Sequence, residues 1–142
     1  MDYNIYTVTN KPDTTALIEI GPGKYSGNHW RDDFIFVSEN SFIIMEIPLL
    51  NLNIGYDHYG MNDYDASTGM LICDKWGRLM DDIKNTRYEL IYNCSHLRNI
   101  TKIEILDDLL KYNTEMLNFI HIIEMKCRFA SIENNGFCIL GM

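Results

Sequence analysis

Basic residues are scarce in this chain, and they are nowhere clustered. The 142 residues include 12 Lys+Arg against 20 Asp+Glu, which gives a formal net charge of −8. Phosphate affinity comes from lysine and arginine, so this balance disfavours nucleic acid as a partner. No segment joins a basic polar face to an apolar one, so we expect no binding to a membrane surface. The acidity instead favours a basic protein as the partner.

Long hydrophobic runs and paired cysteines are also missing. No uninterrupted apolar stretch approaches the roughly 20 residues that span a bilayer, and the first six residues form neither a basic leader nor an apolar block. We therefore expect a cytoplasmic protein. The 4 Cys include no CxxC pair, and we interpret Cys73, Cys94, Cys127 and Cys138 as buried, reduced thiols.

A recognisable catalytic or ligand-binding motif is absent as well. Residues 21–24, Gly-Pro-Gly-Lys, lack the spacing of a phosphate-binding loop, and Pro22 removes one of the amides that such a loop uses. Asp57, Asp63 and Asp65 lack the register of an EF-hand. We therefore predict neither a metal nor a cofactor.

The four histidines are scattered, and no two of them have the spacing of H-E-x-x-H. His29 and His58 lie in predicted loops near Asp32, Asp33 and Asp57. They are the only pair that we consider for acid–base chemistry, because an imidazole oriented by a carboxylate is the usual general base. No nucleophile or oxyanion donor is identifiable beside them, so we predict that the protein is not an enzyme.

The chain has the usual length of one domain, and we predict a single globular domain over residues 1–142. Strand-forming residues at 3–8 and 15–20 flank turn-forming residues, which predicts a first hairpin. Residues 21–28 contain three glycines and a proline and are predicted to form a loop.

The clearest strand–turn–strand signal follows this loop. Residues 34–37 and 42–47 are almost continuously apolar and flank a polar tetrad. We expect two central strands covered on both faces, with Pro48 ending the second because it has no amide proton. Residues 51–69 are polar and contain glycine, so we expect an exposed segment with at most short structure.

Helical periodicity begins in the second half of the chain. Apolar residues recur three and four apart from about Met70, which predicts a helix ending near Lys84-Asn85. Residues 86–94 fit a strand or a short helix, and the sequence does not separate the two.

Thr101 and Glu104 have capping-box spacing and predict the start of a long helix with one apolar stripe. Asn113-Thr114 would also suit a break between two shorter helices. Residues 134–136 suit a turn before a last short strand at 137–140. Together these elements predict an α+β fold, with a mostly antiparallel sheet built from N-terminal hairpins and packed against C-terminal helices.

One segment mixes acidic and aromatic residues. Between positions 57 and 82, six aspartates stand against Lys75 and Arg78, and tyrosines and Trp76 lie between them. Carboxylates steer and pair a basic partner, while aromatic rings supply rigid contact area. The alternative is an ordinary solvated face. We predict a partner-binding surface made of Tyr56, Asp57, Tyr59, Asp63, Tyr64, Asp65, Asp81 and Asp82.

Trp30 and Arg31 stand before the strand at 34–37 and are residue types that anchor interfaces. We expect Trp30 to pack on the core instead, because a large aromatic beside a strand usually packs inward.

In size, in acidity, in the strand entry from Trp30 to Val37 and in the acidic–aromatic segment 57–82, the chain resembles the immunity proteins of bacterial polymorphic toxin systems. These include contact-dependent growth inhibition. The resemblance implies a mixed α/β fold without an active site, and a basic toxin domain as partner, typically a nuclease. On this interpretation the aspartates mimic the phosphates that the toxin binds, and the tyrosines pack around them.

Two alternatives stay open at this point. One is a small hydrolase-type enzyme that uses the loop histidines with nearby aspartates. The other is a structural adaptor subunit, in which the apolar surface of the long C-terminal helix pairs with a copy of itself.

Overall fold

The computed structural model describes residues 1–141. Within this range five strands form one antiparallel sheet in the order β1-β3-β2-β5-β4. The strands are β1 (Ile5–Tyr6), β2 (Leu17–Pro22), β3 (Ile35–Ser38), β4 (Met61–Asp65) and β5 (Gly136–Gly141). The helices are α1 (Glu39–Asn51), α2 (Ala66–Lys84), α3 (Glu89–Tyr92), α4 (Asn99–Lys111) and α5 (Asn113–Glu133). The predicted α+β class with an antiparallel sheet is confirmed.

The sheet separates two apolar clusters of unequal size. Side chains of a strand alternate between its two faces, so Ile18 and Ile20 of β2 join the large cluster that contains α1, α2 and α5, including Trp76. Leu17 points the other way, into a small cluster with Phe36 and other residues of the opposite face. The helices therefore cover one face of the sheet, and the core lies mainly between that face and α2 and α5.

The predicted first hairpin is wrong, although both of its strands exist in part. β1 pairs with β3, with Ile5 opposite Val37, and β2 lies between β3 and β5. β1 has only two residues. β2 is buried along almost its whole length, and buried main-chain N–H and C=O groups need partners, so the strand requires a neighbour on each edge. These neighbours come from distant parts of the chain.

The second predicted strand pair is also wrong in one half. Residues 35–38 form β3, but residues 42–47 belong to α1, which is buried on almost every side. A short continuous apolar run does not distinguish a buried strand from a buried helix. Pro48 lies inside α1 rather than ending a strand. About one helical turn before Pro48, the Met45 carbonyl accepts a hydrogen bond from the Trp76 indole Nε1 at 2.9 Å.

The segment 51–69 is more ordered than predicted, because it contains β4 and the first turn of α2. Asp65 is the N-cap of α2, and its side chain accepts a hydrogen bond from the Thr68 amide. The predicted end of this helix at Lys84 is confirmed. Residues 86–94 contain the short helix α3 rather than a strand.

The single long helix predicted from Thr101 is wrong, and the alternative of a break near Asn113-Thr114 is the one observed, because α4 ends at Lys111 and α5 starts at Asn113. The capping box at Thr101 is wrong, since α4 begins two residues earlier with Arg98 as its N-cap. The predicted last strand is confirmed as β5, and it lies between β2 and β4 in the sheet. Within residues 1–141, no helix has the length and apolar character needed to cross a membrane.

Candidate partner-binding surface

Strand β4 places two kinds of side chain on opposite faces of the sheet. Asn62 and Tyr64 are buried at 6% and 7% exposure, whereas Met61, Asp63 and Asp65 are exposed. This alternation is the ordinary period of a strand. The sequence pattern does not predict this strand, because its two buried side chains are an amide and a phenol rather than aliphatic groups.

Asn62 builds the turn that precedes β4. Its Oδ1 accepts from the Asp57 amide at 2.9 Å, and its Nδ2 donates to the carbonyl oxygens of Asp57 at 2.8 Å and Ile139 at 3.1 Å. The Gly60 amide also donates to the Asp57 carbonyl, at 3.1 Å. A buried amide with its hydrogen bonds satisfied holds the turn in one conformation. The turn presents Asp57 and Tyr59 to solvent, and Tyr59 is 71% exposed.

His58 ties the same turn to helix α1. Its Nε2 lies 2.6 Å from Glu39 Oε1, and its Nδ1 contacts Glu46 Oε1. The Tyr56 hydroxyl donates to the same Glu46 oxygen at 2.5 Å. A carboxylate at each ring nitrogen favours the doubly protonated, positively charged form of His58, which donates from both nitrogens. We call these four residues the His58 cluster.

The pKa shifts in the His58 cluster agree with its geometry. Burial opposes a charged imidazole, but the hydrogen bonds to Glu39 and Glu46 outweigh it and raise the pKa of His58. Burial raises the pKa of Glu46, although the bonds from Tyr56 and His58 act in the lowering direction. Burial and the neighbouring Glu46 charge raise the pKa of Tyr56. The cluster therefore fixes the turn, and both ring nitrogens of His58 are engaged by carboxylates, so neither is free to act as a general base.

The three aspartates near β4 are each held by a main-chain amide. In every case one carboxylate oxygen accepts an N–H: Asp57 from Tyr59 at 3.0 Å, Asp63 from Tyr25 at 2.7 Å and Asp65 from Thr68 at 2.8 Å. The backbone bond from Thr68 lowers the pKa of Asp65. An amide fixes a carboxylate without neutralising its charge. We call the exposed set the β4 face: Asp57, Tyr59, Met61, Asp63 and Asp65.

The tyrosines of the predicted surface have three different environments. Tyr59 is exposed, whereas Tyr56 is half-buried and bound to Glu46. Tyr64 packs against Phe137 with ring centroids 5.7 Å apart, so its predicted place on the surface is wrong. Trp76 lies among the acidic residues in the sequence but on the apolar stripe of the helix predicted from Met70, and it is 0% exposed. The error at Tyr64 comes from the inward face of β4.

Asp81 and Asp82 lie at the opposite end of α2 from the β4 face. The helical rise places Asp81 about 24 Å from Asp65 along the axis. There a groove of about 810 Å³ runs between α2 and α5. We call it the α2–α5 groove; its charged residues are Asp74, Asp81, Asp82, Glu124, Arg78, Lys84, Arg87 and Arg128. The eight predicted residues therefore do not form one surface.

Acidic groups in the α2–α5 groove have basic neighbours. Arg128 donates to Glu124 at 2.6 Å and to Asp74 at 3.1 Å, and Arg87 donates to Asp82 at 3.2 Å. Among residues 1–141, by contrast, the salt bridges include none of the three aspartates of the β4 face. The two ends of the acidic segment thus differ in local charge balance.

The carboxylates beside the two loop histidines are glutamates, so the predicted aspartate partners are wrong. The His29 Nδ1 lies 2.8 Å from Oε1 of Glu19, which is completely buried and also accepts from the Trp30 amide at 3.2 Å. Asp33 instead pairs with Arg31 at 2.7 Å. Glu19 contacts Nδ1 of His29 and not Nε2. A carboxylate at one ring nitrogen orients the imidazole and leaves the other nitrogen to face a reactant.

Trp30 packs one ring face on Phe36, with centroids 5.4 Å apart, and the Lys11 ammonium lies 4.1 Å from its ring centroid. Its side chain is still 39% exposed. The expected packing therefore covers only part of the ring.

Three glutamates at the centre of these contacts were missed: Glu19, Glu39 and Glu46. A signal existed for two of them, since Glu19 and Glu46 each interrupt a run of isoleucine and other apolar residues. A charged residue inside such a run is buried only when it has a partner. Sequence alone does not say which histidine supplies it.

The cysteines behave as predicted. Cys73, Cys94, Cys127 and Cys138 are free and buried. Burial raises the pKa of Cys73 to about 12 and that of Cys138 to about 11, so these thiols are poor nucleophiles at neutral pH. Within the described range, no three His, Cys, Asp or Glu side chains form a group that would hold a metal ion.

A separate apolar surface lies on α5. Met125, Phe129 and Ile132 are 54%, 66% and 66% exposed, and their spacing places them on one helix face. The first two also line a cavity of about 410 Å³ between α5 and strands β2 and β3. This is the face that an adaptor subunit would use to pair with its copy.

Comparisons of the chain with protein families, curated proteins and solved structures found no match. The geometry and charge of the surfaces described above are therefore the observations that bear on function.

Proposed function

We propose that this protein is an immunity-type protein, which binds a basic toxin domain in the cytoplasm and keeps it inactive. The β4 face makes the contact, and the toxin is of the nuclease type. Four buried free thiols suit a reducing compartment such as the cytoplasm.

One observation carries this proposal: the β4 face holds three carboxylates that are fixed in position but not paired with a cation. Each accepts a main-chain N–H, and no salt bridge within residues 1–141 reaches them. Exposed Tyr59 and Met61 lie between them in the sequence. Fixed charge beside exposed aromatic and apolar groups is the combination that binds a basic protein surface with little loss of side-chain entropy.

The electrostatics of such a contact act over a distance. A net charge of −8 attracts a cationic domain, raises the association rate and loses strength as salt is added. Asp63 and Asp65 are two residues apart on one face of a strand, about 7 Å in distance. In this proposal they occupy the places of phosphate groups on the toxin's substrate-binding face.

The test compares two triple variants with equal changes in charge. Asp57→Asn, Asp63→Asn and Asp65→Asn together remove the charge of the β4 face while keeping an oxygen that accepts the amide bonds. The control triple removes the same charge from the α2–α5 groove: Asp74→Asn, Asp81→Asn and Asp82→Asn.

The partner for this test is the toxic protein encoded beside the gene. We expect the β4 triple to weaken its binding by about 30-fold at low salt, and the groove triple by less than about threefold. Protection of cells that express the toxin should follow the same order. Equal protection by both triples, or a stronger loss in the groove triple, would overturn the proposed surface.

One observation favours a second candidate, a small hydrolase-type enzyme. Buried Glu19 positions His29, whose side chain is 40% exposed, as a general base would be positioned. If this candidate is correct, the protein hydrolyses an ester probe faster than free imidazole does at the same concentration, and His29→Asn abolishes this difference in rate. His58→Asn is the matched control, because both nitrogens of His58 are already bound.

A further inference from the structure

The two edges of the sheet differ in what they offer to a partner. β1 is an edge strand of two residues, whereas β4 is an edge strand of five residues, Met61–Asp65. Among the strands of residues 1–141, β4 pairs with β5 alone. An edge strand carries a row of unpaired N–H and C=O groups, which accept a further strand. Only β4 is long enough to accept several ladder bonds.

The register identifies which main-chain groups of β4 face outward. Gly60 and Gly141 continue the register in which Met61 is opposite Leu140, and the Gly141 amide donates to the Gly60 carbonyl at 3.0 Å. Antiparallel pairs alternate between bonded and non-bonded positions. Asn62 and Tyr64 therefore use their main-chain groups toward β5, and Met61, Asp63 and Asp65 direct theirs toward the free edge.

The same outward-facing residues carry the exposed side chains. Met61 is 66% exposed, and Asp63 and Asp65 are exposed carboxylates. The strand contains no proline and no lysine, which are the residues that usually protect an edge. Its two carboxylates would meet each other across an edge-to-edge contact between two copies, so the charge disfavours a second copy as the occupant.

A basic strand fits this edge in both charge and period. Lysine or arginine at alternate positions of an added strand would lie on the same face as Asp63 and Asp65, and opposite charges across neighbouring strands attract. Tyr59 lies two residues before β4 and is 71% exposed. Its ring can pack against the aliphatic part of one such side chain and attract its positive charge.

We infer that β4 binds its partner by strand addition: an extended segment with alternating basic residues pairs with the free edge at Met61, Asp63 and Asp65. The inference rests on the proposed function and adds to it the form of the contact. Main-chain hydrogen bonds supply the register, and the carboxylates select a basic segment over a neutral or acidic one.

The experiment uses a ten-residue synthetic peptide of alternating lysine and threonine with blocked ends. Its control is the same peptide with alternate main-chain amides methylated, which keeps every charge but cannot form the ladder. At low ionic strength, saturating peptide should slow amide hydrogen exchange at Met61 and Asp63 by about tenfold or more, with little change at Asn62 and Tyr64. The methylated peptide should bind about tenfold more weakly.

Two variants of the chain give an independent measurement. Met61→Pro removes one outward amide without touching a carboxylate, and Met61→Ala removes the side chain but keeps that amide. We expect the proline variant to bind the peptide about tenfold more weakly than the alanine variant. The exchange measurement on the unaltered chain does not depend on either variant folding.

Three outcomes separate this inference from the proposed function. Equal binding of both peptides, with no protection at Met61 and Asp63, would overturn strand addition while leaving side-chain docking on the β4 face in place. Failure of both peptides to bind would also overturn it, and the toxin experiment above would then decide the function by itself. Protection at Asp63 that is absent in Met61→Pro would establish the edge as the contact.

Discussion

The β4 face and the α2–α5 groove are both rich in aspartate, yet they differ in what holds each carboxylate. On the β4 face the aspartates accept main-chain amides. In the groove Asp74 and Asp82 accept from arginine side chains. An amide keeps the negative charge available to a partner, whereas an arginine cancels it locally. An acidic composition therefore says little about a binding surface until the partner of each carboxylate is known.

The two ends also differ in rigidity. The turn before β4 is fixed by a buried asparagine and by the His58 cluster, both of which contact elements distant in sequence. In the groove, by contrast, the paired residues Arg87 and Asp74 are 55% and 66% exposed. Substitutions at the β4 end should therefore cost more stability than matched substitutions at the groove end.

The largest expected effect is at Asn62. Asn62→Ala removes the side-chain bonds to Asp57 and Ile139 that hold the turn and leaves the Asp57 amide without its partner, so we expect a loss of about 3 kcal/mol in the free energy of unfolding. Asn85→Ala is the matched change at the groove end, where the side chain makes an exposed bond to the Asp81 carbonyl. It should cost less than about 1 kcal/mol. Chemical denaturation measures both, and equal losses would contradict the difference in rigidity.

A smaller effect separates two tyrosines of the predicted surface. Tyr56→Phe removes the hydroxyl bound to Glu46, and we expect it to cost about 2 kcal/mol because the acceptor is charged. The Tyr64 hydroxyl is buried and has no hydrogen-bond partner within residues 1–141. Tyr64→Phe should therefore change stability by less than about 0.5 kcal/mol. A thermal unfolding series with both variants tests this order, and the reverse order would show that Tyr56 does not support the turn.

The pH dependence of stability should carry the signature of the His58 cluster. Because the pKa of His58 is raised on folding, its contribution is complete below the unfolded value of 6.5 and is lost as the pH rises through the folded value. The raised pKa of Glu46 acts in the same direction, from its unfolded value of 4.5 upward.

The free energy of unfolding of the unaltered chain should therefore fall as the pH rises above about 6.5. His58→Asn should flatten this decline, and the same substitution at exposed His96 should leave it in place. A decline that is identical in His58→Asn would mean that His58 is not charged in the folded chain.

The smallest expected effect is at the groove end. Arg87→Ala removes a salt bridge to Asp82 in which the arginine is 55% exposed. Solvent screens such a pair, so we expect a change of about 0.5 kcal/mol or less, and none at high salt. Urea denaturation at low and high ionic strength measures this. A loss comparable to that of Asn62→Ala would remove the contrast between the two ends.

Sequence reasoning was most successful where one helix face packs on a core. The end of α2 at Lys84 follows from a local signal and is confirmed, whereas the break between α4 and α5 was only the alternative to one long helix. It failed for residues 42–47, because α1 is buried on nearly all sides and has no polar face that would reveal its period. It also missed β4, whose buried positions are Asn62 and Tyr64.

The candidate site was predicted only in part. Asp57, Tyr59, Asp63 and Asp65 are exposed and close in sequence, so a segment-level prediction located them. Tyr64 was misplaced because a strand alternates sides at every residue, and the register of β4 is set by its pairing with β5. Asp81 and Asp82 were grouped with the others by sequence proximity, although the helix predicted from about Met70 to Lys84 already separates them from Asp65.

The fold class, the acidic character and the helical second half of the chain could be read from composition and periodicity, because these depend on averages over many neighbouring residues. The strand order, the burial of Glu19 and Glu46 beside their histidines, and the free edge at β4 depend on contacts between segments far apart in the chain. Such contacts are decided by which surfaces bury together, and a linear pattern of residue types does not record that choice.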